Sequence, residues 1–199
     1  MTRRIRKSLI GILVISITLL GNIVAVHADD DRSFSLIEYC EEHQINTQEE
    51  FNYVLTTYCG ISSEFLDYDT DYEYFCVDVD QENDCVVVIK MEKISATREQ
   101  TVSNSAKKNY YDSNGNKIFT IRVEGTFMFT IGWCACTSSS GSFTKPFSSP
   151  WNSTPTISSG NTSATKAYAL ISGTATALGL SRSYTLTLTC DNTGHFECY

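Results

Sequence analysis

The chain reads as an α+β protein, with an N-terminal helical hairpin and β-hairpin ahead of an all-β, disulfide-pinned β-sandwich. Three observations predict this. Helical periodicity is confined to residues 35–59. Apolar and hydroxyl side chains alternate with a period of two through much of the stretch after residue 110, the signature of half-buried strands. Eight cysteines follow an export-type leader, and an even count outside the cell reads as crosslinks.

The leader comes first. Arg3, Arg4, Arg6 and Lys7 precede an apolar run from Leu9 to Leu20, and Val26-His27-Ala28 stands just before Asp29-Asp30-Asp31. Basic start, apolar stretch and small residues in that order predict a signal peptide over 1–28. An uncleaved anchor is the competing reading, because the apolar stretch can be extended to Val26, near the ~18 residues a span needs. Gly21 and Asn22 interrupt it, which favours cleavage and a secreted product with no membrane contact.

Charge then divides the remainder. Residues 29–100 hold 19 acidic and 4 basic residues, a balance of −15, whereas residues 101–199 hold 4 and 7, a balance of +3. The shift predicts an acidic α+β module over 29–100 and a sandwich domain over 101–199. Such acidity argues against nucleic acid as a partner, because phosphates would be repelled. A cationic protein, peptide or divalent ion is the complementary expectation.

Within the acidic module, Ser35-Leu36-Ile37-Glu38 and Thr47-Gln48-Glu49-Glu50 match the capping box, in which hydroxyl and carboxylate satisfy free amides at a helix start. Phe51, Val54, Leu55 and Tyr58 form one apolar stripe, and Gly60 is placed for a left-handed cap. Tyr72 to Val79 and Cys85 to Ile94 are strands around the polar turn Asp80 to Asn83. Residues 95–109 are polar and read as a linker or weak edge strand.

In the second half, Asn114-Gly115 marks a tight turn ahead of a strand from Lys117 to Val123, and Phe127, Phe129 and Ile131 continue the alternation. Lys166 to Leu178 is a further strand, turning at Gly179-Leu180. Tyr184, Leu186, Leu188 and Cys190 alternate with threonines. The Ser- and Thr-rich segment 137–165 carries Phe143, Phe147, Trp151 and Ile157, which predicts edge strands rather than a solvated tail.

Cys40, Cys59, Cys76 and Cys85 fall in the acidic module; Cys134, Cys136, Cys190 and Cys198 fall in the other. Each set can close internally. Cys40 and Cys59 can staple the helical hairpin, and Cys76 faces Cys85 if the β-turn is tight. Eight thiols permit 105 pairings, so spacing leaves the connectivity open.

Gly125-Thr126-Phe127, Gly132, Cys136-Thr137-Ser138, Trp151, Gly160-Asn161 and Leu186-Thr187-Leu188-Thr189-Cys190-Asp191 with Gly194 form a pattern. Over residues 110–194 it resembles a group of uncharacterised small secreted β-sandwich proteins of Gram-positive bacteria. The resemblance implies that Cys136 pairs with Cys190, and leaves Cys134 and Cys198 for a second bond. It implies no activity and no catalytic residue.

Few constellations suggest chemistry. Asp67, Asp69, Asp71 and Glu73 alternate as in the first half of a calcium loop, but Tyr72 stands where that loop needs Gly and Asp78 where it needs Glu. Cys134-Ala135-Cys136 has the wrong spacing for zinc. His43 reads as a surface residue near a helix C-terminus. His195 with Cys198 is a nucleophilic pair only if that thiol is free. No serine-elbow, metalloprotease or phosphate-loop motif occurs. Trp133, Trp151, Phe143, Phe147, Tyr110 and Tyr111 are chiefly core candidates, with one or two left for a binding face.

The sequence therefore predicts a secreted, non-enzymatic extracellular binding or surface-associated module, without cofactor or metal. A secreted hydrolase with an unidentified carboxylate site, or a toxin-like factor, are the alternatives.

Overall fold

Among the described residues, Ser35 and Thr47 each begin an α-helix, as their capping boxes predict. In α1 (Leu36–Glu42) the Ser35 side chain accepts from the Glu38 amide at 3.5 Å. In α2 (Gln48–Thr57) the box is complete: the Glu50 amide donates to Thr47 Oγ1 at 3.1 Å, and the Thr47 amide donates to the Glu50 carboxylate at 3.2 Å. Gly60 takes the left-handed conformation, φ +67°, that its role as a helix stop requires. The computed structural model describes residues 34–66, 72–92 and 101–199; the leader and the loop residues Asp67 to Asp71 lie outside them.

Among the described residues, nine strands follow in two antiparallel sheets. The first has sequential order β1 (Tyr72–Asp80), β2 (Cys85–Glu92), β3 (Thr101–Tyr111), β4 (Lys117–Thr130) and β5 (Trp133–Thr144). The second has β6 (Thr156–Ser163), β7 (Lys166–Ala177), β8 (Leu180–Asp191) and β9 (Phe196–Cys198). As expected for edge strands, the Ser- and Thr-rich β5 and β6 each end a sheet.

Residues 101–109 depart from the expected linker or weak edge strand. They belong to β3, which pairs with β2 on one side and β4 on the other. Its polar residues hid it, because Ser103, Ser105 and Lys107 occupy the face turned away from the second sheet, while Asn104 and Lys108, which donates to the Thr185 carbonyl at 3.4 Å, interrupt the other. The change of charge near residue 100 therefore marks no break in hydrogen bonding, and Phe34–Tyr199 form one compact unit. A second departure is β4, a single strand where two runs were expected, continuous through Gly125.

Strand β2 explains why Val86-Val87-Val88-Ile89 reads as an unbroken apolar run: both its faces are covered. Val86 and Val88 join Leu36, Phe51, Val54, Leu55 and Tyr111 in a cluster beneath the helices. Cys85, Val87 and Met91 join a larger cluster shared by the two sheets. There Phe119, Ile121, Val123 and Phe127 of β4 meet Ile171 of β7 and Tyr184, Leu186 and Leu188 of β8. Large rings are matched by missing side chains. A Cβ at Gly125 would stand 2.4 Å from the Phe127 ring, and one at Gly173 2.5 Å from the Tyr184 hydroxyl.

The terminal turn is held by one carboxylate. Asp191 Oδ1 accepts from Thr193 Oγ1 at 2.6 Å, from the Thr193 amide at 2.8 Å and from the His195 amide at 3.0 Å. Burial raises its pKa, but these three bonds and the charge of His195 outweigh that and hold it below the usual 3.8. A carboxylate lowered on folding stabilises the native state above its unfolded value and loses that contribution as pH falls through the folded one. Asp191→Ala should therefore lower the melting temperature at pH 6, and the deficit should shrink on acidification from pH 4 towards pH 2, measured by circular dichroism.

Candidate functional site

On the face of β3–β5 turned away from the second sheet, register gathers residues that are scattered in sequence. Lys107 lies opposite Arg122, Ser105 opposite Glu124 and Ser103 opposite Thr126. Arg122, Glu124 and Thr126 in turn lie opposite Ser142, Ser140 and Ser138. A bulge makes the last set possible. Thr126 pairs with Ser138 but Phe127 pairs with Cys136, so Thr137 is the extra residue and side-chain parity reverses there. Cys134 and Cys136 consequently point toward the second sheet, while Ser138, Ser140 and Ser142 point away from it.

Arg122 is the centre of this face. Its Nη2 lies 2.7 Å from Glu124 Oε1 and 3.3 Å from Glu92 Oε1, and donates to Ser105 Oγ at 3.2 Å. Lys107 Nζ stands 3.8 Å from the same Glu92 oxygen. Ser140 donates to Glu124 at 3.0 Å, and the hydroxyls of Ser103 and Thr126 are 2.8 Å apart. Ion pairs this exposed contribute about 0–1 kcal/mol each, so their main consequence is orientation.

Glu92, Ser103, Ser105, Glu124, Thr126, Ser138 and Ser140, with Gly125 and Ser139, line a trough of about 270 Å³, just below the about 300–1,000 Å³ of enclosed small-molecule sites; Arg122 and Lys107 lie outside this lining and hold its two carboxylates. Asn104 also borders it and is 6% exposed, but its side chain belongs to the face of β3 toward the second sheet, like that of its partner position Gly125; its Oδ1 accepts from the Ser105 amide at 2.7 Å, while its Nδ2 has no partner among the described residues. Arg122 Nε is likewise unpaired. A buried donor left unpaired costs about 1–3 kcal/mol, a cost that a ligand oxygen reaching Arg122 Nε would relieve.

Of the aromatic candidates, Trp151, Tyr110 and Tyr111 are buried and Phe143 packs partly into the core. Trp133 remains 42% exposed and Phe147 fully exposed. Trp133 pairs with Thr130 at the end of β5, beside Met128, which is 38% exposed. Both belong to the trough face, so an apolar platform adjoins the hydroxyls.

The eight cysteines are unbridged in the structure, and the register corrects one expected pair. Cys76 stands opposite Ile89, and Cys85 opposite Asp80. Four residues of strand separate them, about 13 Å, beyond the ~7 Å between Cα atoms that a disulfide tolerates. Other neighbourhoods are closer. Cys134 Sγ donates to the Cys190 carbonyl at 3.2 Å. Burial, then Cys134, raises the Cys190 thiol, with Cys136 adding to the shift. Burial and the neighbouring Cys76 push Cys198 up to about 12, and burial with Cys59 does the same to Cys40. A nucleophilic thiol is lowered and accessible, whereas Cys198 is raised and buried.

His43 caps α1, its Nδ1 lying 3.0 Å from the Tyr39 carbonyl. Among the described residues, no group of three or more His, Cys, Asp or Glu side chains is placed to hold a metal ion, and no helix is long and apolar enough to cross a membrane. Comparison of the chain with family models, curated proteins and solved structures gives no match.

Sequence reasoning missed the trough because its residues come from four strands and none forms a motif. One signal was present: Glu124 is the only acidic residue between Asp112 and Asp191.

Proposed function

We propose that this chain is a secreted, non-enzymatic binding module, a disulfide-pinned β-sandwich whose β3–β5 face takes an uncharged polyhydroxylated ligand, a surface glycan by its chemistry. The observation that carries this is Arg122, held between two carboxylates amid hydroxyls. Glu92 and Glu124 balance Arg122 and Lys107, so the face offers alternating donors and acceptors without net charge. That suits hydroxyl groups better than a charged ligand. Both carboxylates are engaged by one guanidinium, which is not the unpaired acid and separate base that a glycosidase requires. The leader, the cysteine count and the resemblance over residues 110–194 support export and oxidation. The hydrogen bond from Cys134 Sγ to the Cys190 carbonyl supports a link of Cys190 to Cys134 or its neighbour Cys136, and the electrostatic influence of Cys76 on Cys198 and of Cys59 on Cys40 supports those two pairs.

An array of neutral oligosaccharides tests the reading. The wild-type protein should be retained by at least one glycan, and Trp133→Ala should weaken retention about tenfold, the equivalent of one lost aromatic stacking contact. Release of new reducing ends would revive the hydrolase reading, and an array that retains nothing would remove the glycan.

A further inference from the structure

We propose that a pocket between α1 and α2, lined by none of the trough residues, receives one lysine or arginine side chain of a basic partner protein. The pocket encloses about 450 Å³. Its floor is apolar, formed by buried Ile45 and Val54. Its aromatic walls are Tyr39 on α1 and Tyr53 on α2. Tyr39 is fixed by His43, whose ring stacks on it at 4.1 Å and 7°. Tyr53 is 60% exposed despite adjoining that floor.

Two carboxylates reach the rim, and they differ. Glu50 is engaged by the amides of Asn46 and Thr47 at 3.0 and 3.2 Å. Glu49 makes no side-chain hydrogen bond or ion pair among the described residues, and so remains available. An apolar floor accommodates the aliphatic stem of a long basic side chain. A tyrosine face and a free carboxylate then meet its cationic head. Charge excludes the opposite occupant: residues 34–66 contain six glutamates and neither lysine nor arginine. An anionic partner would be repelled, and a basic one attracted before contact.

The test uses the mature full-length chain and an eight-residue peptide of alternating lysine and glycine, with a glutamine-for-lysine peptide as control, titrated by calorimetry at low and at 0.15 M salt. The lysine peptide should bind and the glutamine peptide should not. Tyr53→Ala, at an exposed position, should weaken binding about five- to tenfold at both salt concentrations, as loss of a cation–π contact would. Glu49→Gln should weaken it about threefold at low salt, and Glu41→Gln, outside the pocket, by less. Equal losses in the two glutamate variants with Tyr53→Ala unchanged would overturn the pocket in favour of diffuse acidic attraction. Absence of lysine-peptide binding would overturn it outright. Neither result bears on the glycan face, which is read separately on the array.

Discussion

Phe119→Ala should lower the free energy of unfolding by about 3–5 kcal/mol, the range for removing a buried ring whose cavity cannot collapse. Phe119 is completely buried and touches both sheets. Its ring centroid lies 4.3 Å from that of Tyr110, 5.1 Å from Phe143, 6.0 Å from Trp151 and 6.1 Å from Tyr184. Four rings from β3, β5, the β5–β6 connection and β8 thus lean on one side chain, and none can move into the void without leaving its other contacts. Urea denaturation should show a lower midpoint with an unchanged slope. Phe147→Ala, at a fully exposed position, should change stability by no more than about 0.5 kcal/mol. A small loss at Phe119 would mean that the sheets do not share this core.

Gly125→Val should destabilise by about 1–3 kcal/mol or more through overpacking. A Cβ there would stand 2.4 and 2.7 Å from atoms of the Phe127 ring and 3.0 Å from Ala169 Cβ, and the ring cannot retreat because it also packs edge-on against Phe196 at 5.4 Å. The diagnostic result is non-additivity. Phe127→Leu alone leaves a void, but combined with Gly125→Val it frees the space that the new methyls need. The double variant should therefore be more stable than the sum of the single changes predicts, by about 0.5–3 kcal/mol. Additive losses would place the two residues out of contact.

Local chemistry was legible in the sequence where a few adjacent residues decide it. Ser35, Thr47 and Gly60 mark the helix ends through hydrogen bonds and a φ angle that only their own neighbours influence. Gly115 and Gly179 mark turns in the same way, with φ +79° and +84°. The alternation from Tyr184 to Cys190 identified the buried face of β8 because every inward residue there is apolar or cysteine. What failed depends on partners distant in sequence. Residues 101–109 look like coil until β2 and β4 flank them. Cys76 and Cys85 look adjacent until the register sets them four residues apart. The trough depends on an extra residue at Thr137, which reverses the parity that an unbroken alternation would give. No window of sequence contains both sides of that pairing.

The most direct test of the binding face is a two-dimensional amide NMR titration of the isotope-labelled protein with a neutral oligosaccharide retained on the array. The account predicts shifts confined to Ser103, Arg122, Thr126, Ser138, Ser140 and the indole of Trp133, saturating without new reducing ends. Shifts centred on other strands, or turnover of the sugar during the titration, would contradict it.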